Sequence, residues 1–206
     1  MNQFLQILAL GLFVSACSPL PRQAERLASQ QACCVKLADI QFKRIEIAQT
    51  LDIRITEDSP SYIFPEGKSY LSAVELPNRP GQTKILIKTH RTGLLVPDSQ
   101  IFCPVVTYLD DRMTPVLTTK ELPLSYEPPG LIKSGFWYSI VTVPPTSKYA
   151  VIHTPAKTIG KPIALSGQSS GYAFYTGSSY VYVPGGPTVQ RYPCGQTGEL
   201  ELELGG

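Results

Sequence analysis

Two short motifs hold residue types that hydrolytic enzymes use. The segment 167–171, with the sequence GQSSG, matches the G-x-S-x-G string that places a nucleophilic serine on a sharp turn between a strand and a helix. The aromatic residues at 172–175 follow it, and they favour a strand instead of a helix. Both histidines also precede Ser169 in the chain. The motif therefore predicts a Ser/Gly loop and no nucleophile.

The pair Asp110-Asp111 could supply one half of the carboxylate pair that glycoside hydrolysis requires. Glu121 or Glu127 would then be its partner. No pattern in the sequence places these groups on opposite sides of a cleft, and two aspartates between apolar runs are typical of a turn. We therefore predict that the chain has no catalytic residue and is not an enzyme.

Metal and cofactor sites have little support in the sequence. Cys33 and Cys34 lack the two-residue spacer that lets two thiolates face one ion. His90 and His153 are the only histidines and lie far apart. Because His153 lies in the apolar run 149–154, we expect a hydrogen-bonded core residue there and no general base. The sequence predicts no metal and no cofactor.

Tyrosines concentrated near the end of the chain are the best candidates for binding. Gly, Ser, Tyr and Pro dominate the segment 155–198. A flat aromatic ring can stack on the apolar face of a sugar, and its hydroxyl can form hydrogen bonds. Strand packing or loop contacts are the alternative role for these tyrosines. Trp137 and Tyr138 belong to an earlier predicted strand, and we expect them to pack inside the domain. The candidate ligand-binding residues are Tyr172, Tyr175, Tyr180 and Tyr182.

Cys17 is the candidate for covalent attachment of lipid. Residues 4–16 form an uncharged, largely apolar run that is too short to span a bilayer. The following sequence Val14-Ser15-Ala16-Cys17 resembles the bacterial lipobox, whose cysteine becomes an acylated N-terminus. We predict a signal peptide over 1–16 and a lipidated tether over 17–32, helical near 24–28.

Two alternatives to lipidation stay open, because residues 1–3 contain no Lys or Arg. One is a buried hydrophobic first helix, and the other is a plain secretory signal cut after Ala16. Ser18 follows the cysteine where an aspartate would favour inner-membrane retention. By resemblance to the sorting pattern of enteric bacteria, Ser18 predicts anchoring in the outer membrane, facing the periplasm.

Four cysteines remain once Cys17 is set apart, and an even number in an oxidising compartment indicates two disulfides. A bridge between adjacent cysteines closes a small strained ring, so we disfavour it. The other two schemes both tie the adjacent pair to the middle and the end of the domain. Free buried thiols are the alternative. The disulfide candidates are Cys33, Cys34, Cys103 and Cys194.

Short strands separated by turns dominate the rest of the chain. Alternating apolar and polar residues predict half-buried strands at 51–55 and 199–204. We expect a short helix over 33–40 and a mainly β fold, a β-sandwich of short antiparallel strands over 33–206. Further strands are expected at 69–75, 84–88, 101–109 with a break at Pro104, 114–117, 136–143, 149–154 and 180–183.

The overall composition excludes a nucleic-acid partner. The chain has 18 Lys+Arg against 16 Asp+Glu and a formal net charge of +2, which leaves no strong positive field. Charged residues make up only 17%, whereas Pro (19) and Gly (16) are frequent. These proportions are typical of a β protein with many turns.

The order of several short motifs resembles one protein family, the maltose operon periplasmic proteins (MalM). The similar stretches cover about two thirds of the chain, and none is specific alone. They are CCVKLADIQF, YLSAVELPNRPGQTKILIKT, FCPVVTYLDDRMTPVL, LSYEPPG, KYAVIHTPAKTIGK and TGELELEL. The resemblance implies a periplasmic location, a β-sandwich and a genetic link to carbohydrate uptake. It transfers no functional residue. Better-known members also carry an Ala/Pro-rich helical C-terminal extension with no counterpart here.

Two functions from different classes follow from these patterns. The first is a non-catalytic accessory lipoprotein that supports carbohydrate uptake, of the maltose or maltodextrin type, by binding. The alternative is a structural envelope lipoprotein that docks on an outer-membrane or peptidoglycan partner. The partners expected are a membrane, through the N-terminal lipid, and a carbohydrate or an envelope protein.

Overall fold

The computed structural model describes residues 19–78, 83–93, 99–128, 134–168 and 171–205. Helix α1 spans Pro19–Ser29, and single 3-10 turns lie at Leu37–Asp39 and Ala156–Thr158. The strands are β1 Lys43–Arg44, β2 Thr50–Ile55, β3 Ser61–Phe64, β4 Gly67–Glu75, β5 Thr83–Thr89, β6 Arg91–Thr92, β7 Gln100–Phe102, β8 Val105–Leu109, β9 Pro115–Thr118, β10 Ser125–Glu127, β11 Phe136–Val143, β12 Tyr149–His153, β13 Pro162–Gln168, β14 Tyr172–Tyr175, β15 Tyr180–Val183, β16 Pro187–Gly195 and β17 Gly198–Gly205.

Two sheets pack face to face around the main core, which confirms the predicted β-sandwich. The first sheet has the order β1-β4-β12-β8-β9, with β3 paired to β4, and the second has the order β10-β11-β5-β17-β2. Most pairs are antiparallel, but β1 runs parallel to β4 and β16 runs parallel to β7. Both sheets contribute to one apolar cluster, which includes Tyr70, Val106 and Ile152 from the first and Ile53, Ile87 and Leu202 from the second.

Strand β17 shows how the sequence pattern produces this packing. Successive side chains of a strand point to opposite faces of the sheet. The leucines at 200, 202 and 204 are accordingly buried in the core, whereas the glutamates at 199, 201 and 203 lie on the outer face. Burial of each leucine contributes about 1.5–3 kcal/mol. The alternation over 199–204 therefore determines both the register of β17 and the chemistry of the outer face.

The central strands of the first sheet are covered on both faces, because the chain N-terminal to β4 folds over the outer one. Leu71, Ala73 and Val151 form a second cluster there with Ile40 and Phe64. The short helix that we predicted over 33–40 is reduced to the single turn Leu37–Asp39. Its residues serve instead as an irregular cover for the sheet.

The segment predicted as a free tether is largely helical and docked on the sandwich. Leu27 of α1 belongs to the main core and Gln23 is also buried. Arg26 forms an ion pair with Glu57, which lies just after β2. The side-chain amide of Gln30 donates a hydrogen bond to the carbonyl oxygen of Ser59 at 3.2 Å. The expectation of a tether thus fails over 19–30, because the buried stripe of α1 is used for packing.

A third sheet, with the order β13-β16-β7-β6, carries most of the Gly/Ser/Tyr-rich segment. Strands β13 and β16 pair as one antiparallel hairpin, and β14 and β15 continue it toward the tip. The break predicted at Pro104 is confirmed, since β7 belongs to this sheet and β8 to the first. Much of 155–198 is therefore a long hairpin and not loop.

Both disulfides in the structure differ from the two schemes that we favoured. Cys103 is bonded to Cys194, with their Cα atoms 5.5 Å apart, and Cys33 is bonded to its neighbour Cys34. Parallel pairing of β16 with β7 sets Cys194 opposite Ile101, which brings it beside Cys103. The adjacent pair lies elsewhere, against the second cluster. The separation of the two regions explains why the disfavoured pairing occurs.

Candidate functional site

A groove at one end of the second sheet brings charged and aromatic side chains together near the end of β5. Two cavities of about 540 and 470 Å³ adjoin there, and His90 and Glu199 line both. Such volumes are typical of small-molecule sites. We call this feature the His90 groove. Its side chains are those of Asp52, Arg54, His90, Arg91, Tyr126, Ser134, Trp137, Tyr192, Glu199 and Glu201.

Strand register assembles the polar floor of the groove from distant parts of the sequence. Strand β17 lies between β2 and β5, which sets Glu199 opposite Arg54 and Glu201 opposite both Asp52 and Lys88. Residues with the same parity share a face, so these side chains all lie on the outer face. His90 follows the last residue of β5 and lies at the same end of the sheet.

Ion pairs and one histidine hydrogen bond hold the floor in place. The Arg54 guanidinium lies 2.9 Å from Glu199 Oε1, and His90 Nε2 lies 3.0 Å from Glu201 Oε1. Lys88 Nζ contacts Glu201 at 3.2 Å and also contacts Glu203. Burial alone would lower the pKa of Lys88, but its hydrogen bonds to the two glutamates raise that pKa above the ordinary value. Lys88 is thus a firmly charged support beneath the groove.

Three aromatic side chains form the opposite wall. Tyr126 of β10 lies directly across from Trp137 of β11, with ring centroids 5.2 Å apart. Tyr192 of β16 meets Trp137 edge-to-face at 5.3 Å. Edge-to-face and offset contacts of this kind are favourable. The same cluster contains the Cys103–Cys194 bridge, so the wall is braced from behind.

The chemistry of the groove suits a neutral, polyhydroxylated ligand. Carboxylates accept hydrogen bonds from hydroxyl groups, and guanidinium groups donate them. The half-buried Tyr126 ring offers an apolar surface beside these groups, and the almost fully buried Trp137 supports it. Within the described ranges, no group of three or more His, Cys, Asp or Glu side chains could hold a metal ion. The groove thus combines charged hydrogen-bonding groups with an aromatic side chain.

The predicted tyrosines lie outside the groove, on the distal part of the long hairpin. Tyr175, Tyr180 and Tyr182 are exposed by 59%, 79% and 67%. The Tyr175 and Tyr180 rings are 5.1 Å apart, and the Tyr175 hydroxyl donates a hydrogen bond to the Gly177 carbonyl oxygen. Tyr172 lies in β14 opposite Val183. The strand predicted at 180–183 is confirmed, whereas the binding role of these residues stays a prediction.

The structure describes the Asp110-Asp111 pair in full and the GQSSG segment only in part. Asp110 Oδ1 accepts hydrogen bonds from the backbone N–H groups of Arg112 (2.9 Å) and Thr114 (2.8 Å), which confirms the turn between β8 and β9. Ser169 lies outside the described residues, as does Cys17. The residues after the GQSSG string form β14 and not the helix that a nucleophile elbow needs.

His153 is a core residue, as expected, but it is not hydrogen-bonded. Its ring is fully buried and stacks on Phe64 with centroids 3.7 Å apart. Neither ring nitrogen has a hydrogen-bond partner in the described part of the chain. Burial lowers the pKa of His153 to about 4, which Glu66 and the Thr154 backbone oppose only in part. The expectation of a hydrogen-bonded histidine is therefore wrong, since packing took precedence over polar pairing.

Sequence reasoning missed the groove itself. It placed the glutamates of 199–204 on the wet face but assigned them only a role against edge pairing. It expected Trp137 to be buried, which is confirmed, and gave it no function. The available signal was the combination of an acidic strand face with the only tryptophan of the chain. Only the strand order shows that these two features are neighbours.

Comparisons with known proteins give one finding. Residues 66–204 match the family model described as maltose operon periplasmic protein precursor (MalM). The match covers about two thirds of the chain and includes β5, β11 and β17, which carry most of the groove. No curated protein and no solved structure gives a significant match. Within the described ranges, no helix is long and apolar enough to cross a membrane.

Proposed function

Because the chain belongs to the maltose operon periplasmic protein family, we propose that it supports carbohydrate uptake by binding a maltose- or maltodextrin-type ligand without catalysis. In this proposal residues 1–16 are a signal peptide that is removed. Cys17 then carries the lipid that anchors the protein in the outer membrane, facing the periplasm. The lipobox-like sequence before Cys17 supports the anchor.

The composition of the His90 groove carries the binding proposal. A sugar has polar hydroxyl groups around its rim and apolar C–H faces, so its sites combine charged hydrogen-bonding groups with aromatic rings. The groove has both within one pair of adjoining cavities, with Arg54, Glu199 and Glu201 in the first and Tyr126, supported by the buried Trp137, in the second.

The pairing of the groove carboxylates supports binding over hydrolysis. Glycoside hydrolysis needs two carboxyl groups that flank the scissile bond, one of them kept protonated. Here Glu199 is paired with Arg54, and Glu201 is paired with Lys88 and His90. Paired carboxylates are suited to accepting hydrogen bonds from hydroxyl groups.

Tryptophan fluorescence offers a direct test, because Trp137 is the only tryptophan and lies in the groove wall. Full-length protein in detergent would be titrated with linear maltodextrins and with cello-oligosaccharides for comparison. We expect a saturable change in emission with maltodextrin. Glu199→Gln should weaken binding at least tenfold, since loss of one hydrogen bond to a charged group costs about 1.5–3 kcal/mol.

Glu203→Gln provides a matched control. It makes the same change of charge on the same strand, but Glu203 does not line the groove. We expect this variant to keep the affinity of the unmodified protein. A glycan array that shows no binding, or equal affinities for the two variants, would contradict the proposal.

A second function, docking on an envelope partner, is favoured by the exposed tyrosines of the long hairpin. Large aromatic side chains that remain exposed are common at recognition surfaces. Tyr172, Tyr175, Tyr180 and Tyr182 are proposed to contact either the glycan or a partner. Tyr180→Ala and Tyr182→Ala separate these roles. Loss of glycan binding assigns the hairpin to carbohydrate, whereas loss of crosslinks to an outer-membrane or peptidoglycan partner assigns it to docking.

A further inference from the structure

We propose that the docked helix α1 determines which end of the sandwich faces the lipid surface. The inference rests on the proposed lipidation of Cys17 and goes beyond it. A lipid on a long free tether would leave the domain free to rotate and to rise. A lipid placed next to a docked helix holds one end of the domain against the membrane.

The first step is the length of chain between the lipid and the helix. Only Ser18 separates Cys17 from Pro19, the first residue of α1. A chain reaches at most about 3.3–3.6 Å per residue, so the Cα atom of Cys17 lies within roughly 7 Å of the helix. A free tether over 17–32 could have spanned about 50 Å by the same measure.

The second step is the attachment of α1 to the domain. Leu27 is buried in the main core, and the Gln100 side-chain amide donates a hydrogen bond to the side-chain oxygen of Gln23 at 3.4 Å. The ion pair of Arg26 with Glu57 adds a second polar contact. After the helix, the backbone N–H of Cys33 donates a hydrogen bond to the Ser61 carbonyl oxygen at 2.8 Å. Contacts along the whole segment therefore hold the helix on the domain.

The third step identifies the end that carries the helix. Gln100 begins β7 and also donates a hydrogen bond to Thr197, which directly precedes β17. Glu57 lies two residues after the end of β2. The opposite end holds Pro144 and Lys148, beside the first residue of β5. The seven residues of β5 separate the two ends by about 20 Å.

The orientation brings the ligand site close to the lipid surface. A cavity of about 340 Å³ lies between α1 and the end of the sheet, lined by Arg26 of the helix and by Arg54 and Glu199 of the groove. The groove and the helix therefore share a wall. A carbohydrate that arrives at the inner surface of the outer membrane would meet the groove on the membrane-proximal end.

Site-specific fluorescence quenching tests the orientation in the lipidated protein. Mature protein would be purified from membranes and placed in vesicles that contain a headgroup-quencher lipid. Single cysteines at two exposed positions, Asp58→Cys at the helix end and Thr146→Cys at the opposite end, would carry a dye. We expect several-fold stronger quenching at 58 than at 146. Ten Gly/Ser residues inserted between Ser18 and Pro19 should remove most of the difference.

The outcomes distinguish the anchor from the orientation. Protein that does not bind vesicles, or binds equally well after Cys17→Ser, overturns the lipid anchor and with it this inference. Protein that binds through Cys17 but shows equal quenching at both positions overturns the orientation and leaves the anchor standing. If the quenching difference persists after the insertion, the proposed orientation mechanism is also overturned. The short connection between Cys17 and α1 would then not be what orients the domain.

Discussion

The buried histidine of β12 should make the domain sensitive to mild acid. His153 is fully buried, and burial lowers its pKa from the ordinary 6.5 to about 4. The unfolded chain therefore binds the proton more tightly than the folded domain does. Stability is fully present above pH 6.5 and is lost as the pH falls from 6.5 toward 4. Below about pH 4 both states are protonated and the loss levels off.

The size of this effect follows from the two pKa values. Between pH 7.5 and 5.0 the unfolded state gains almost one proton at His153, while the folded state stays mostly neutral. The free energy of unfolding should fall by about 2 kcal/mol over this range from His153 alone. At still lower pH the loss of unfolding free energy from His153 approaches the full value for this pKa difference, roughly 3 kcal/mol.

Denaturant unfolding at the two pH values measures the effect, with the emission of Trp137 as the signal. Other groups also titrate in this range, so the variant His153→Leu supplies the comparison. We expect the unmodified domain to lose about 2 kcal/mol more than this variant between pH 7.5 and 5.0. His90→Gln removes the other histidine and should keep the loss. Equal pH dependence in the unmodified domain and His153→Leu would refute the reasoning.

Three further predictions concern stability. Replacing both Cys103 and Cys194 with serine should lower the free energy of unfolding by about 4–5 kcal/mol, because the bridge joins residues 91 apart in sequence. Removal of the bridge between the two adjacent cysteines should cost under ~1 kcal/mol. Equal losses for the two bridges in non-reducing urea titrations would contradict the dependence on loop length. Lys88→Met should cost about 1 kcal/mol at low salt, since two neighbouring glutamates lose their shared cation, and titrations in 1 M salt should show a smaller loss. Asp110→Ala should cost about 1 kcal/mol by thermal unfolding, because two backbone N–H groups lose their acceptor.

The sequence predicted local structure well where one physical requirement dominates. Strand β11 over 136–143 has the predicted bounds, and β2 and β17 follow the alternation at 51–55 and 199–204. The missing N–H of Pro104 ended one strand and began another, as expected. In each case burial of one face or loss of one ladder donor was sufficient to set the structure.

Contacts that depend on the register between distant strands could not be predicted from local sequence patterns. The contact of His90 with Glu201 joins residues 111 positions apart, and the groove wall joins Tyr126, Trp137 and Tyr192 from three strands. The docking of α1 through Leu27 was missed for a related reason. Its sequence allows either a solvated tether or a packed helix, and only the apolar surface left open by the sandwich decides between them.

The Cys103–Cys194 bridge has a mechanical consequence for the proposed arrangement, in which a lipid anchors the domain and the long hairpin contacts a partner. The long hairpin leaves the sandwich through β16, and the bridge joins that strand to the connection between β7 and β8. A pull on the hairpin tip that reaches its base would load this covalent link before it could separate β16 from β7. The strain would then pass into β8, a central strand buried on both faces. The bridge therefore keeps the base of the hairpin attached to the rest of the domain under tension.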